Sequence, residues 1–436
     1  MDVVTAARSL IADTLAFHII FAALGVGLPL LISATELFGL IKKRPRAIAL
    51  AHTWSRALVI LFIAGAVSGT IVSLQFSLLW PTFMALASKV VGVAFALEGF
   101  AFLVEVLFLA IYMLSWDKFK PWAHWLCSLP VVLGSMMSAF FITTVNGWMN
   151  TPRGFQLDAH GNPVNINVRQ AVFNPAAGIE IRHSILAYVF ATVLVVMAVY
   201  AWIAWHRKLN SSVKADLQRL LMGLAVVAVL AGAVLGLAGD QAAKFDVKNE
   251  PYKLAAAEGL QDTQSGAPLQ IGGIIKNDKL EYAIKVPHLL SWLATGHING
   301  QVQGLNATPK ADQPSLVVHY FFDAMVLIGI VGVSVPAAYF LGGKWRRSLR
   351  GNKLLLGLVV ACGLLGFAGI EFGWMLTEFG RQPYVIRGVM LTKHASTSSR
   401  AAVEFAYLFP LFYLALFWLT WKALRRNIKP MEALEP

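Results

Sequence analysis

The chain is built from apolar runs of about 20 residues or more, the length a helix needs to cross a bilayer. About nine such runs can be counted. They cover residues 13–41, 54–80, 90–115, 123–148, 184–206, 217–238, 316–343, 353–377 and 402–424. In hydrocarbon every backbone N–H and C=O must find a partner within the protein, so runs of this length are helices. The expected fold class is an all-α polytopic membrane protein with about nine transmembrane helices. Only 14% of residues are charged, and no soluble domain is obvious. The chain divides into 1–238 with the first six spans, a polar interruption at 239–315, and 316–436 with the last three. A connection that long within one domain is uncommon and points to function.

The net charge of +13 raises the question of nucleic acid, but its distribution answers otherwise. Basic clusters recur at every second connection: Lys42, Lys43, Arg44 and Arg46; Lys118 and Lys120; Arg207, Lys208, Lys214 and Arg219. Two more follow, at Lys344, Arg346, Arg347, Arg350 and Lys353, and at Lys422, Arg425, Arg426 and Lys429. The positive-inside rule puts these short loops in the cytoplasm. The N-terminus and the 239–315 loop are then outside and the C-terminus is cytoplasmic. No cleavable signal peptide is expected, because the first apolar run is too long and lacks a basic leader. Cys127 and Cys362 fall in apolar spans and read as packing residues. Without a Cys-x-x-Cys-His, covalent c-type haem is excluded.

Against this background a few polar residues stand out, because an ionisable group inside a bilayer is by default a functional site. His18, Glu98, Glu105, His183, Met325 and Glu371 all fall in the outer half by this topology, given a 1.5 Å rise per residue. Glu105 is about 10 Å deeper than Glu98 on nearly the same helix face. Taken singly, Met325 reads as packing and His183 as interfacial, whereas the carboxylates demand partners. Glu36, near the inner end of the first span, is expected to snorkel to the interface. A His/Met pair closes both axial positions of a haem, and a single protein ligand leaves one face open to a small molecule. His183 with Met325 can form the closed pair. His18 and Glu371 can each hold one side of an open haem, with Glu98 and Glu105 passing protons toward it.

Longer motifs sharpen this reading: ALEGFAFLVE (96–105), SWDK (115–118), VNGWMN (145–150), NPAAGIEIRH (174–183), GDQAAKF (239–245), PYKLAAAE (251–258), PLQIGG (268–273) and EFGWMLTEFGRQPY (371–384). In these motifs, and over essentially its whole length, the chain resembles subunit I of cytochrome bd-type quinol oxidases. The resemblance implies that His183 and Met325 ligate a low-spin haem b. It implies that His18 and Glu371 serve two high-spin haems, one b and one d. Glu98 would lie beside that pair and Glu105 deeper on the proton route, with Ser138 and Asn146 as further polar positions. Arg8 and Arg381 would lie near the propionates or the haem pocket. The outer loop corresponds to the family's quinol loop, of the short type. Within it Lys253 and Glu258 match charged quinol-site positions, and Asp240 lies in the preceding GD motif. Glu258 can act as the proton-accepting base or pair with Lys253, although a spacing of five is not a favoured helical register.

The resemblance further implies an enzyme that oxidises membrane ubiquinol or menaquinol outside and reduces dioxygen to water with cytoplasmic protons. Such an enzyme generates a proton motive force without pumping. It implies a second large subunit, a small single-span one in some members, and the bacterial inner membrane. Residues 1–13 read as an interfacial helix or a partner contact. Three departures stand out: Asp323, two residues before Met325, where an Arg or other polar residue is frequent; Tyr384, where Trp is common; and the missing loop insertion. The alternatives are a haem quinol oxidoreductase with another electron acceptor, and a secondary transporter. The transporter would show internal repeats and mid-depth broken helices, whereas no convincing repeat is seen and the candidate sites lie off-centre.

Overall fold

The structure, a computed structural model, describes residues 1–431 and Leu434. Among these, nine helices are long and apolar enough to cross a membrane. They are α1 (Val3–Ile41), α2 (Pro45–Leu79), α3 (Gly92–Leu114), α4 (Pro121–Asn150), α5 (Ala177–His206), α6 (Ser211–Asn249), α7 (Val317–Trp345), α8 (Lys353–Arg381) and α9 (Ala401–Asn427). Local signals set their starts. Asp2, Asn210 and Asn352 accept the backbone N–H three residues on, capping α1, α6 and α8. Pro45 and Pro121 open α2 and α4, where a missing N–H costs nothing.

The helices pack as two groups. In one, α1 lies on α2 and α4, and α3 lies on α4; in the other, α5 packs on α6 and α8, and α7 on both α6 and α8. Contacts of α5 with α1 and α4 join them, while α9 rests on α1 and α2. Many side chains on α3, α6 and α9 are apolar and exposed, among them Phe100, Leu103, Leu230, Leu237, Phe417 and Trp418. In a bilayer such faces meet lipid or a neighbouring protein rather than water.

Three expectations shift. Residues 1–13 are not a separate element but the first turns of α1. The GDQAAKF motif is helical, because α6 continues to Asn249, so the excursion begins near 250. Glu36 does not snorkel: it is 2% exposed and is held by Tyr112 and His124.

The excursion between α6 and α7 is a folded unit. It starts with a short helix, Pro251–Ala257, and continues with a ribbon in which 269–271 pairs with 284–286 and 274–276 with 279–281. Asn277 and Asp278 at its tip both have positive φ, the requirement of a two-residue type I′ turn. Gly273, at φ +100, admits no side chain, since a Cβ would lie 2.8 Å from the Glu281 carbonyl oxygen.

Candidate functional site

Between the first helical group and helices α5 and α8 lies a cavity of about 760 Å³. His18, Glu98, Glu105, Ser138, Arg8, Arg381, Asn146 and Glu378 are among its lining residues. His18 Nδ1 is 3.0 Å from Ser68 Oγ, and that hydroxyl donates to the Ala64 carbonyl at 2.9 Å. With its only hydrogen spent there, Ser68 accepts from His18 Nδ1–H. This fixes the tautomer and leaves the Nε2 lone pair free for a metal. Gly69 gives the ring room, since a Cβ at that position would touch His18 at 3.0 Å. Across the cavity Ser138 donates to Glu98 at 2.8 Å. Glu105 is 4% exposed and its Oε1 has no partner.

The other donors stand apart from this lining. His183 on α5 faces Gly239 of α6, where a Cβ would be 3.5 Å from the ring, and its Nδ1 is buried without a partner. Met325 on α7 points its sulfur at Gly373 of α8, 3.3 Å from a Cβ there. Glu371, two residues earlier on α8, carries a buried, unpartnered Oε1. Next to it Trp374 Nε1 donates to Tyr188 Oη at 3.2 Å. Among the described residues, no three His, Cys, Asp or Glu side chains gather as a cage for a bare ion. Single donors spread over α1, α5, α7 and α8, those of His183 and Glu371 with orphaned polar atoms, suit haem, whose macrocycle supplies the equatorial nitrogens. The residues present therefore fit the group.

At the C-terminal end of α8 the charges interlock. Arg381, 1% exposed, pairs with Glu378 and donates to Asn150 at 3.1 Å. Asn146 donates to Glu378 at 2.8 Å, and Asn150 to Glu180 at 2.9 Å. Lys253 is buried against α8, where Gly380 leaves space for its stem. Its ammonium is 3.0 Å from Glu250 and 3.4 Å from Asp246, whereas Asp240 is exposed and pairs with Lys244. Burial alone would lower the Lys253 pKa; Asp246, Glu250 and Glu180 outweigh it and hold the pKa above its ordinary value.

Glu258 is not a partner of Lys253. It is 5% exposed, its Oε2 is unpartnered, and burial together with the nearby Asp323 pushes its carboxyl up to about 8. Asp323 is an anchor for the loop: it accepts Gly272 N–H at 2.6 Å and lies 3.4 Å from His319 Nε2. His319, fully buried, sets Nδ1 2.8 Å from the Ala257 carbonyl and Nε2 2.9 Å from that of Gly272. One side chain thus clasps both the short helix and the ribbon. Tyr384 donates to Asp312 at 2.8 Å. Sequence reasoning passed over Ser68, His319, Asp246, Glu250, Glu180 and Glu378. Only Glu378 carried a signal, since it lies in the EFGWMLTEFGRQPY motif seven residues after Glu371 and so on nearly the same helix face.

Nine apolar helices with isolated iron-type donors facing into them define a membrane-embedded redox protein. The sequence model for cytochrome bd terminal oxidase subunit I matches residues 6–431. The chain is 34% identical to a putative cytochrome bd menaquinol oxidase subunit I of Bacillus subtilis (strain 168), over 95% of this chain and 94% of that one. It is 29% identical to subunit 1 of a cytochrome bd ubiquinol oxidase of the same organism, over 90% of this chain and 86% of the relative. The solved bd oxidase from Geobacillus thermodenitrificans superposes with a TM-score of 0.92 at 39% identity, covering 98% of this chain and 99% of that one. The chain belongs to the cytochrome bd terminal oxidase subunit I family. It is an oxidoreductase, a multi-pass subunit of a respiratory membrane oxidase, and the family implies haem and a partner subunit.

Proposed function

We propose that this quinol oxidase takes electrons from membrane ubiquinol or menaquinol at its 250–316 loop and reduces dioxygen to water. The observation that carries the proposal is the donor set itself: His183 and Glu371 with buried, unpartnered polar atoms on the family's motifs, His18 oriented by Ser68, and Met325 with its sulfur toward Gly373. Two haems b and one haem d are the proposed complement, and haem iron supplies the electron transfer and the oxygen chemistry. His183 and Met325 would hold the low-spin haem, and His18 and Glu371 the high-spin pair. Arg381, buried and charged beside the cavity, and Arg8 at its rim would meet propionates. Glu98 and Glu105, which line the cavity, would pass protons toward it. Glu258, kept neutral near pH 7 by its surroundings, can give up a proton outward and then accept one from a bound quinol. Lys253 stays charged among its carboxylates and positions the loop on α8.

The basic-loop pattern supports a cytoplasmic C-terminus in a bacterial inner membrane. Quinol protons then leave outside, while protons for water come from inside, and charge separates without a pump. The proposed organisation is membrane helices over 1–238 and 316–436 around the quinol loop of 239–315. A second large subunit, with or without a small single-span one, completes the complex. The test is a reduced-minus-oxidised spectrum of the purified complex with pyridine haemochrome analysis. Haems b and d in a two-to-one ratio are expected. Haem b alone removes haem d from the proposal, and absence of haem removes the proposal itself.

A further inference from the structure

On the side of the Lys/Arg-rich loops, three helices meet at a second buried polar cluster. Glu36 of α1, Tyr112 of α3 and His124 of α4 are each 2% exposed. Tyr112 Oη donates to Glu36 Oε2 at 2.7 Å. His124 Nδ1 lies 2.6 Å from Glu36 Oε1, and Nε2 lies 3.0 Å from the Tyr112 carbonyl. That carbonyl only accepts, so Nε2 carries a hydrogen. One further proton occupies the short line between Nδ1 and Oε1. On oxygen it makes a carboxylic acid beside a neutral imidazole; on nitrogen it makes a carboxylate beside an imidazolium. The other two hydrogen bonds survive in both states. The proton therefore changes owner with no side chain moving and no change in net charge.

The cluster continues toward the cavity. Glu98, Glu105 and Tyr112 recur every seven residues on α3, so they share a face at intervals of about 10 Å. His124, Ser128, Ser135 and Ser138 form the matching stripe on α4, and Ser128 Oγ is 2.7 Å from Ser33 Oγ. Gly134 lets Glu105 approach, since a Cβ there would meet the Glu105 Cβ at 3.0 Å. Beside Tyr112 and Ser128 lies a small cavity of about 10 Å³, its other walls apolar: Pro29, Ile32, Leu58, Leu109 and Val131. That is room for about one water. On the basic side Trp116 covers His124, with ring centroids 4.1 Å apart, and itself stacks on the exposed His52 at 4.5 Å. His52 and Arg56 of α2, Asp117 after α3 and Cys127 of α4 are the other titratable or charged groups around the pair.

We propose that the Glu36–His124 pair is the inner proton station of this oxidase, loading protons that pass to Glu105 and then Glu98. The proposal rests on the quinol oxidase reading above. In each transfer one O–H or N–H bond breaks and another forms: the pair's proton goes to the Glu105 carboxylate, and one from the inner aqueous phase replaces it. The same hydrogen bonds also tie three helices together, and the test separates the two roles. In Glu36→Gln the amide still accepts from Tyr112 and can donate to Nδ1, but it has no proton to release.

With the detergent-purified complex, Glu36→Gln is expected to slow quinol-driven oxygen consumption by about tenfold or more. Single-turnover proton uptake, read with a pH dye, should slow in parallel, while haem spectra and Tm hold. Glu36→Asp should recover much of the rate. Trp54→Phe, which removes a buried 2.9 Å bond to Tyr200 in the same inner half, should leave turnover unchanged. If Glu36→Gln does not assemble, His124→Gln is read in the same way. Wild-type turnover and proton uptake in either variant overturn the proposal. A wild-type complex that fails to consume oxygen with quinol overturns the quinol oxidase reading instead.

Discussion

Replacing Glu258 by Gln tests the outer site most sharply. The residue is enclosed at the C-terminal end of the short helix Pro251–Ala257, and burial with the nearby Asp323 pushes its carboxyl up to about 8 from near 4.5. If its carboxylate accepts a quinol proton, only the ionised fraction is active. At pH 6.5 that fraction is roughly 3%, and at pH 8.5 it is roughly three quarters. The wild-type kcat/KM for quinol should therefore climb about 25-fold over this window. In Glu258→Gln both the rate and the climb should be lost. Stability follows with the opposite sign. Between about 4.5 and 8 the unfolded chain has released this proton and the folded one has not, so folding costs more as pH rises, on the order of 3 kcal/mol by pH 7. Wild-type Tm should fall across that window, and the Gln variant should lose this component of the fall. Stopped-flow quinol oxidation and thermal unfolding of the complex at stepped pH measure both. A Gln variant that keeps the wild-type climb refutes the assignment.

Three further changes probe separate parts. Met325→Leu should shift the low-spin haem band and leave the oxygen-site haems largely intact; an unchanged low-spin spectrum would remove Met325 as a ligand. Lys253→Met strands the buried Glu250 and the half-buried Asp246 without their cation, which should cost about 3–5 kcal/mol, visible as a lower Tm and a raised KM for quinol. Asp323→Asn replaces a charged acceptor of Gly272 N–H with a neutral one, weakening the loop clasp by about 1–2 kcal/mol. Faster amide exchange confined to the 268–286 ribbon should report it, and unchanged exchange there would show that Asp323 is not the anchor.

What could be read in the sequence follows from how bilayers constrain chains. Length and apolarity alone fix a crossing helix, because nothing else satisfies the backbone in hydrocarbon. The nine spans were therefore legible, and an isolated acid or His within them was conspicuous. Helix ends in water are set by weaker forces, which is why α6 outran its apolar stretch to Asn249, carried by polar but helix-compatible residues. Partnerships across helices left no trace in spacing. Glu36 looked like an interfacial acid because its depth was legible and its contacts were not. The residues that hold it lie 76 and 88 positions away. The same blindness applied to Lys253, whose neighbours are Glu250 and Asp246 rather than the Glu258 beside it in the motif. Asp323 shows the converse. An acid two residues before a proposed haem ligand invites an argument about haem electrostatics. The structure turns it instead toward Gly272 and His319, so its charge is used on the loop. A departure in this position therefore bears first on how the quinol-side loop is held.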